Sequence, residues 1–233
     1  MKRGKRAIQS GNPLPPYLLK MKLIGITGGI GSGKTHVSKL YADRVLHPDS
    51  YDACKASIFN TDDVASEILK MRSTAAEVKR KFGEDSYIKL PYEDREIYNK
   101  EKFRRILFSP TKDGENSRRI MRQILHKKVL NRLERWQTEN AGYRFGLVES
   151  ALFFQYNLEC VTDYVISVVA PKPLRLIRLA NRGVPPEIAS DVMSIQLSDE
   201  EMIARSDYVI LNGENDNVLE QITLIHDMIT SEE

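Results

Sequence analysis

The chain has 233 residues, 41% of them hydrophobic and 29% charged, with a formal net charge of +3. That length and mixture suit one globular unit with room for an inserted subdomain, and exclude fibrous or low-complexity classes. No apolar run approaches the roughly 20 residues of a membrane-spanning helix, and two cysteines in unrelated contexts, Cys54 and Cys160, suggest neither a disulfide framework nor a metal site.

Residues 1–20 hold five basic side chains (Lys2, Arg3, Lys5, Arg6 and Lys20) and no acidic one. With Gly, Asn and three prolines among them, they are expected to form a disordered tail without the apolar centre of a secretory signal. A solvated extension and a transit segment both fit that composition. The remaining chain carries 30 basic and 32 acidic residues, so by charge its body is not a nucleic-acid binder.

The stretch from Lys22 to Thr35 organises the rest of the chain. Leu23 to Ile26 reads as a short apolar strand, then a glycine-rich turn, then a helix with Val37, Leu40 and Tyr41 at helical spacing. Gly28, Gly33, Lys34 and Thr35 satisfy G-x-x-x-x-G-K-[ST], a pattern met by accident about once in a hundred chains of this length. Glycines let backbone N–H groups converge on an anion, and the helix start adds its positive dipole end. Lys34 then reaches the outer phosphates and the Thr35 hydroxyl binds Mg²⁺. The spacing therefore predicts a nucleoside triphosphate site.

A loop is expected from Asp43 to Lys55, a second strand from Ser57 to Asn60, and a helix from Asp62-Asp63 bearing Val64, Ile68, Leu69 and Met71 on one side. Asp62 sits where a carboxylate orients or deprotonates an acceptor hydroxyl, and also where it caps that helix; both roles stay open. Thr74 to Phe82 is predicted helical, residues 84–98 irregular, Lys100 to Phe108 helical, and Ser117 to Thr138 a long amphipathic helix with Ile120, Ile124, Val129, Leu133 and Trp136 on its face. Strands return at Phe145–Val148, Tyr164–Val169 and Tyr208–Leu211, with helices at Pro173–Arg182 (apolar Leu174, Ile177 and Leu179) and Asn217–Ile229. Strand–helix alternation around the glycine-rich turn gives an α/β fold with a parallel sheet covered on both faces. Arg175, Arg178 and Arg182 share one helical face ahead of a Gly183, Pro185-Pro186 loop, set either to close over phosphates or to be solvated. Asn212-Gly213 is either an adenine-edge contact or an ordinary turn. Of the histidines, His126 in the helical block is the one of interest; none has metal-ligand spacing.

Together these residues resemble the dephospho-coenzyme A kinase family over residues 22–230. Ile26-Thr-Gly-Gly-Ile-Gly-Ser-Gly-Lys-Thr35 is similar to its P-loop almost letter for letter. Asn60-Thr61-Asp62 stands at its Asp-Ala-Asp, with Asp62 on the catalytic aspartate. Phe103-Arg104 to Leu107-Phe108 and Leu125-His126 resemble its coenzyme-binding helices. Arg178 and Arg182 match its lid, and Gln196-Leu-Ser, Ser206-Asp207 and Asn212-Gly213 its closing landmarks. Departures are Asn60 for the first Asp, His36 for Thr, Glu149-Ser-Ala-Leu-Phe-Phe-Gln155 for Asp-x-Pro-Leu-Leu-Phe-Glu, Lys100 for Arg and Lys127 for Pro.

The resemblance implies a three-layer P-loop nucleoside triphosphate hydrolase fold with a five-stranded parallel sheet. Its core is residues 21–94 and 141–233, with a lid at about 178–198 and a helical acceptor-binding subdomain at 95–140. It implies ATP-dependent phosphorylation of the ribose 3′-hydroxyl of dephospho-coenzyme A, with ATP and Mg²⁺. Asp62, Lys34, Arg178 and Arg182 are then catalytic. Gly29, Ile30, Gly31, Ser32, Gly33, Lys34, Thr35, His36 and Asn212 bind nucleotide, Asp62, Lys100 and His126 bind acceptor, and Thr35 binds metal. A cytoplasmic monomer or small homo-oligomer with no nucleic-acid or membrane partner is the accompanying expectation. A kinase of the same fold with another small acceptor, such as a nucleoside monophosphate, is the alternative; a non-catalytic nucleotide-dependent regulator is the remote one.

Overall fold

The computed structural model describes residues 21–46, 57–91 and 95–231; the expected tail (1–20) and most of the expected 43–55 loop lie outside them. Strand β1 (Lys22–Thr27) is buried from Leu23 onward, an apolar run that requires cover on both faces. It is the middle strand of a parallel sheet ordered β2-β5-β1-β6-β7, with β2 at Ile58–Asn60, β5 at Phe145–Glu149, β6 at Tyr164–Val169 and β7 at Tyr208–Leu211. Register places Ile26 and Asn60 on either side of Glu149, so three strand ends meet at the carboxyl edge where such sheets bind ligands.

Helix α1 (Lys34–Tyr41) follows the glycine turn, and Ala42–Leu46 continues it as one π-type turn in place of the expected loop. On one sheet face Val37 and Tyr41 of α1 join Ile222, Ile225 and Ile229 of the closing helix α9 (Val218–Ser231) over Ile24, Ile26, Leu147 and Ile166. The opposite face buries Leu23, Phe59 and Val148 under α2 (Thr61–Leu69), α3 (Arg72–Phe82) and the long α5 (Lys112–Glu139), through Ile68, Val78, Ile124, Val129 and Leu133. Helix α4 (Lys100–Leu107) adds Phe103 to that cluster.

Several expectations are corrected. Asn60, not Asp62, caps α2: its side-chain oxygen accepts from the N–H groups of Asp62 (2.9 Å) and Asp63 (3.2 Å). Met71 lies beyond α2 and is 42% exposed, because α2 stops at Leu69 and a new helix starts at Arg72. Within 84–98 a two-stranded antiparallel hairpin forms, β3 (Tyr87–Lys89) on β4 (Glu96–Tyr98), too short and too exposed at Ile88 and Ile97 to show a period of two. Helix α5 starts five residues before Ser117, at Lys112, because Thr111 accepts from Gly114 N–H while Asp113 and Glu115 suit the positive helix end.

After β6 come α6 (Lys172–Asn181) and two helices that periodicity does not reveal, α7 (Pro186–Ile195) and α8 (Asp199–Ala204). The expected Pro185-Pro186 loop is instead a helix start, with Pro186 at the first helical position where its missing N–H does no harm. Ser198 and Glu201 close a capping box on α8. On α6 the burial pattern departs from apolarity: Ile177 is 55% exposed while Arg175 is 7% exposed. Among the described residues no helix is long and apolar enough to cross a membrane, and Cys160 is a free, exposed thiol.

Candidate active site

The turn between β1 and α1 winds as an anion-binding loop. Gly28 and Gly33 adopt φ of 147° and 98°, the left-handed side of the backbone map that side chains disfavour. A Cβ on Gly28 would lie 2.3 Å from the Val168 carbonyl oxygen, and one on Gly33 2.1 Å from Asn212 Nδ2, so both positions also lack room. Lys34 curls back and donates from Nζ to the carbonyls of Gly28 (2.9 Å) and Gly29 (3.3 Å). The Ser32 hydroxyl is buried in the turn without a partner among the described residues, a donor in waiting for an anion.

Three charged groups converge on this mouth. Burial pushes the Lys34 ammonium below its ordinary pKa, Asp62 and Glu149 raise it again, and Arg175 and Arg182 lower it further. Water reaches the Asp62 side chain, yet the cleft walls crowd its carboxyl; that desolvation raises its pKa, which Lys34 lowers and Asp63 raises again. Glu149, 4% exposed at the end of β5, is raised by burial above all, with the Thr35 hydrogen bond and Lys34 opposing. The Thr35 hydroxyl donates to Glu149 Oε1 at 2.5 Å. These are hard oxygen donors, the chemistry Mg²⁺ accepts, and among the described residues there is no cluster of three or more His, Cys, Asp or Glu for a protein-only metal cage. Sparse protein ligation suits Mg²⁺, which takes most of its ligands from phosphate and water. Glu149 is the site residue the sequence reading missed; the signal was its position, an acid closing an apolar strand that pairs with β1.

The other expected site residues fall into groups. Gly29, Ile30, Gly31, Ser32, Gly33, Lys34 and Thr35 line the turn itself, whereas His36 is exposed one residue further on, beside a cavity of about 1000 Å³ walled also by Thr35, Phe59 and Trp136. Arg178 and Asn212 meet a different fate from the one expected. Arg178 donates to the carbonyls of Gly31 (3.5 Å), Ser32 (3.3 Å) and Asn212 (3.0 Å), so its guanidinium braces the outside of the turn from a packed helix. Asn212, 6% exposed, donates from Nδ2 to the Ser32 carbonyl at 2.7 Å, which ties its side chain to the loop. Arg182, exposed at the end of α6, remains available and its charge is felt at Lys34.

His126 of α5, expected to bind the acceptor, lies nearly parallel to Tyr156, ring centroids 6.2 Å apart at 21°. Burial pushes the Tyr156 hydroxyl up to about 12, and the Asp62 charge adds to the rise. Arg122 donates to the Gln155 carbonyl at 2.9 Å beside it. Lys100 is exposed at the start of α4, and no described hydrogen bond or ion pair ties it to Asp62 or the glycine turn.

A parallel five-stranded sheet with a glycine-rich turn of the P-loop pattern, a half-buried lysine and two carboxylates at its carboxyl edge defines a P-loop phosphotransferase of the small-molecule kinase type. Solved structures agree on the fold: a Thermus thermophilus protein superposes with a TM-score of 0.66 at 21% identity over 90% of this chain and 97% of its own. Dephospho-CoA kinase of Campylobacter jejuni gives 0.55 at 19% over 90% and 98%. The sequence model of the dephospho-CoA kinase family matches residues 22–217, and the chain belongs to that family. It is 30% identical to dephospho-CoA kinase of Corynebacterium diphtheriae over 87% of this chain and 94% of that one. With the Saccharomyces cerevisiae enzyme it shares 27% over 83% and 76%.

Proposed function

We propose that this site transfers the γ-phosphoryl group of ATP to the 3′-hydroxyl of dephospho-coenzyme A with Asp62 as the base. Family membership carries the overall reaction, ATP-dependent phosphorylation of dephospho-coenzyme A, the last step of coenzyme A biosynthesis. The residue roles rest on one observation, the convergence of Lys34, Asp62 and Glu149 on the mouth of the glycine turn.

Lys34 leaves the Gly28 and Gly29 carbonyls and bridges the β- and γ-phosphates. Loop amides from Gly31 to Thr35 hold the same oxygens. The acceptor oxygen bonds to the γ-phosphorus as the bond to the ADP oxygen breaks, and the hydroxyl proton passes to Asp62. Thr35 and Glu149 would hold Mg²⁺, which supplies neutralisation of phosphate charge when bound. Arg182 offsets charge that develops on the transferring group. The helical block at 95–140 receives the acceptor through His126, with Tyr156 opposite, although α4 and α5 also pack on the sheet and so share the core with residues on either side of the block; the 178–198 segment covers the phosphates. The hydrogen bonds of Arg178 and Asn212 support a bracing role for both.

The test is ADP release from ATP·Mg²⁺ with dephospho-coenzyme A against a panel of nucleoside monophosphates and other small alcohols. Dephospho-coenzyme A is expected to give the highest kcat/KM. Equal or higher kcat/KM with a nucleoside monophosphate overturns the acceptor assignment.

A further inference from the structure

The geometry points to Gln196 and Arg175 as positioning residues for the phosphate-binding loop, fixing the two peptide groups that flank Ile30. The Ile30 N–H donates to Gln196 Oε1 at 2.8 Å, and the Ile30 carbonyl accepts from Arg175 Nε at 2.8 Å. These atoms belong to consecutive peptide planes, between residues 29 and 30 and between 30 and 31. The outer residues are Gly29 and Gly31, the latter at φ 79°, and glycine resists rotation of an adjoining peptide least.

In a planar trans peptide the N–H and C=O point opposite ways. Holding the Ile30 oxygen on the outside therefore turns the Gly31 N–H toward the concave side of the loop, where a phosphate oxygen sits in a backbone nest. Holding the Ile30 N–H turns the Gly29 carbonyl the other way, where Ser32 N–H (3.1 Å) and Lys34 Nζ (3.3 Å) donate to it. Without the two side chains the apex can rotate, and its amides lose their common focus.

Both braces are themselves held. Arg175 Nη1 donates to both Asp199 oxygens, at 3.1 and 3.2 Å. A Cβ on Gly29 would lie 2.2 Å from the Arg175 guanidinium, so the two surfaces are in full contact. Gln196 directly follows α7, and its Nε2 reaches the Ala151 carbonyl at 3.5 Å in the segment after β5. One amide side chain thus joins the donor loop to the chain segment leading to Tyr156. Neither residue contacts a reacting atom in this scheme; each acts through the loop.

The inference rests on the loop taking nucleotide phosphates and is independent of the acceptor. The experiment is titration of ATP·Mg²⁺ into the full chain and into Gln196→Met, which keeps the volume and removes the acceptor oxygen. Affinity should fall about tenfold, the scale of one well-placed hydrogen bond. The ligand-free melting temperature should hold, and the fall in ATP affinity should exceed any change in the KM for dephospho-coenzyme A. Affinity within twofold of the parent overturns the inference, and so does a loss that appears equally in ligand-free melting and acceptor KM. Should Gln196→Met fail to fold, Arg175→Lys makes the same comparison, since it keeps the charge and lacks the Nε donor. A parent chain that binds no ATP removes the nucleotide-site reading itself, an outcome visible before any variant is made.

Discussion

Lys34, Asp62 and Glu149 share one mouth, and each is moved from its ordinary pKa mainly by loss of water. Lys34→Ala should cost about 3–4 kcal/mol of transition-state stabilisation, read from kcat/KM, the scale of losing one electrostatic stabiliser. Asp62→Asn should lower kcat while ATP affinity from titration stays within about twofold, as the proposed base role requires. The same shifts set the pH profile. A base acts when ionised, so kcat falls as the pH drops through the raised Asp62 pKa, an acid limb above the ordinary carboxylate value of about 3.9. Lys34 acts when charged, so an alkaline limb belongs below its usual value of about 10.4. Profiles of the parent and of Asp62→Asn check this, since the variant should lose the acid limb. The P-loop residues were legible in sequence because their chemistry is local and ordered along the chain. What Arg178 and Asn212 hold was not legible, since their partners Gly31 and Ser32 lie 146 to 180 residues away. Spacing carries no sign of such a contact.

At the scale of elements, Asn60 does the work that the sequence leaves open to Asp62. Its side chain accepts from two N–H groups at the start of α2, so the Asp62 carboxylate is not needed as the cap. Asn60→Ala should destabilise the chain by about 1 kcal/mol in denaturant unfolding, the usual loss of an N-cap. Asn60→Asp keeps the acceptor oxygen and should restore that stability. The five sheet strands and seven of the nine helices among the described residues were readable from apolar runs, helical spacing and turn signals. The hairpin at Tyr87–Tyr98 was not, because its pairing is tied down by aromatic contacts, Tyr87 on Tyr98 and Tyr98 on Phe103, that a three-residue strand does not advertise. Helix α6 was foreseen, but two positions invert its expected face: Arg175 is buried against the loop while Ile177 faces outward, although Leu179 is buried as expected.

For the molecule as a whole, the sheet order puts the glycine turn after the middle strand and Asp62 after the edge strand β2, with the end of β5 and Glu149 between them. Removing divalent cations with EDTA should abolish turnover, and Mg²⁺ should restore it, as ADP release with dephospho-coenzyme A would record. The central strand also has a history in time. β1 is among the first described residues, yet both neighbours that sandwich it begin at Phe145 and Tyr164. A ribosome must therefore expose an apolar ribbon for more than a hundred codons before either flank arrives, a delay typical of long-range pairing. A chain halted after residue 140 should neither retain ATP on a column nor resist protease, while supplying residues 141–233 in trans should rescue both. The nucleotide grip, although spelled out near the start of the message, is among the last parts of the enzyme to exist.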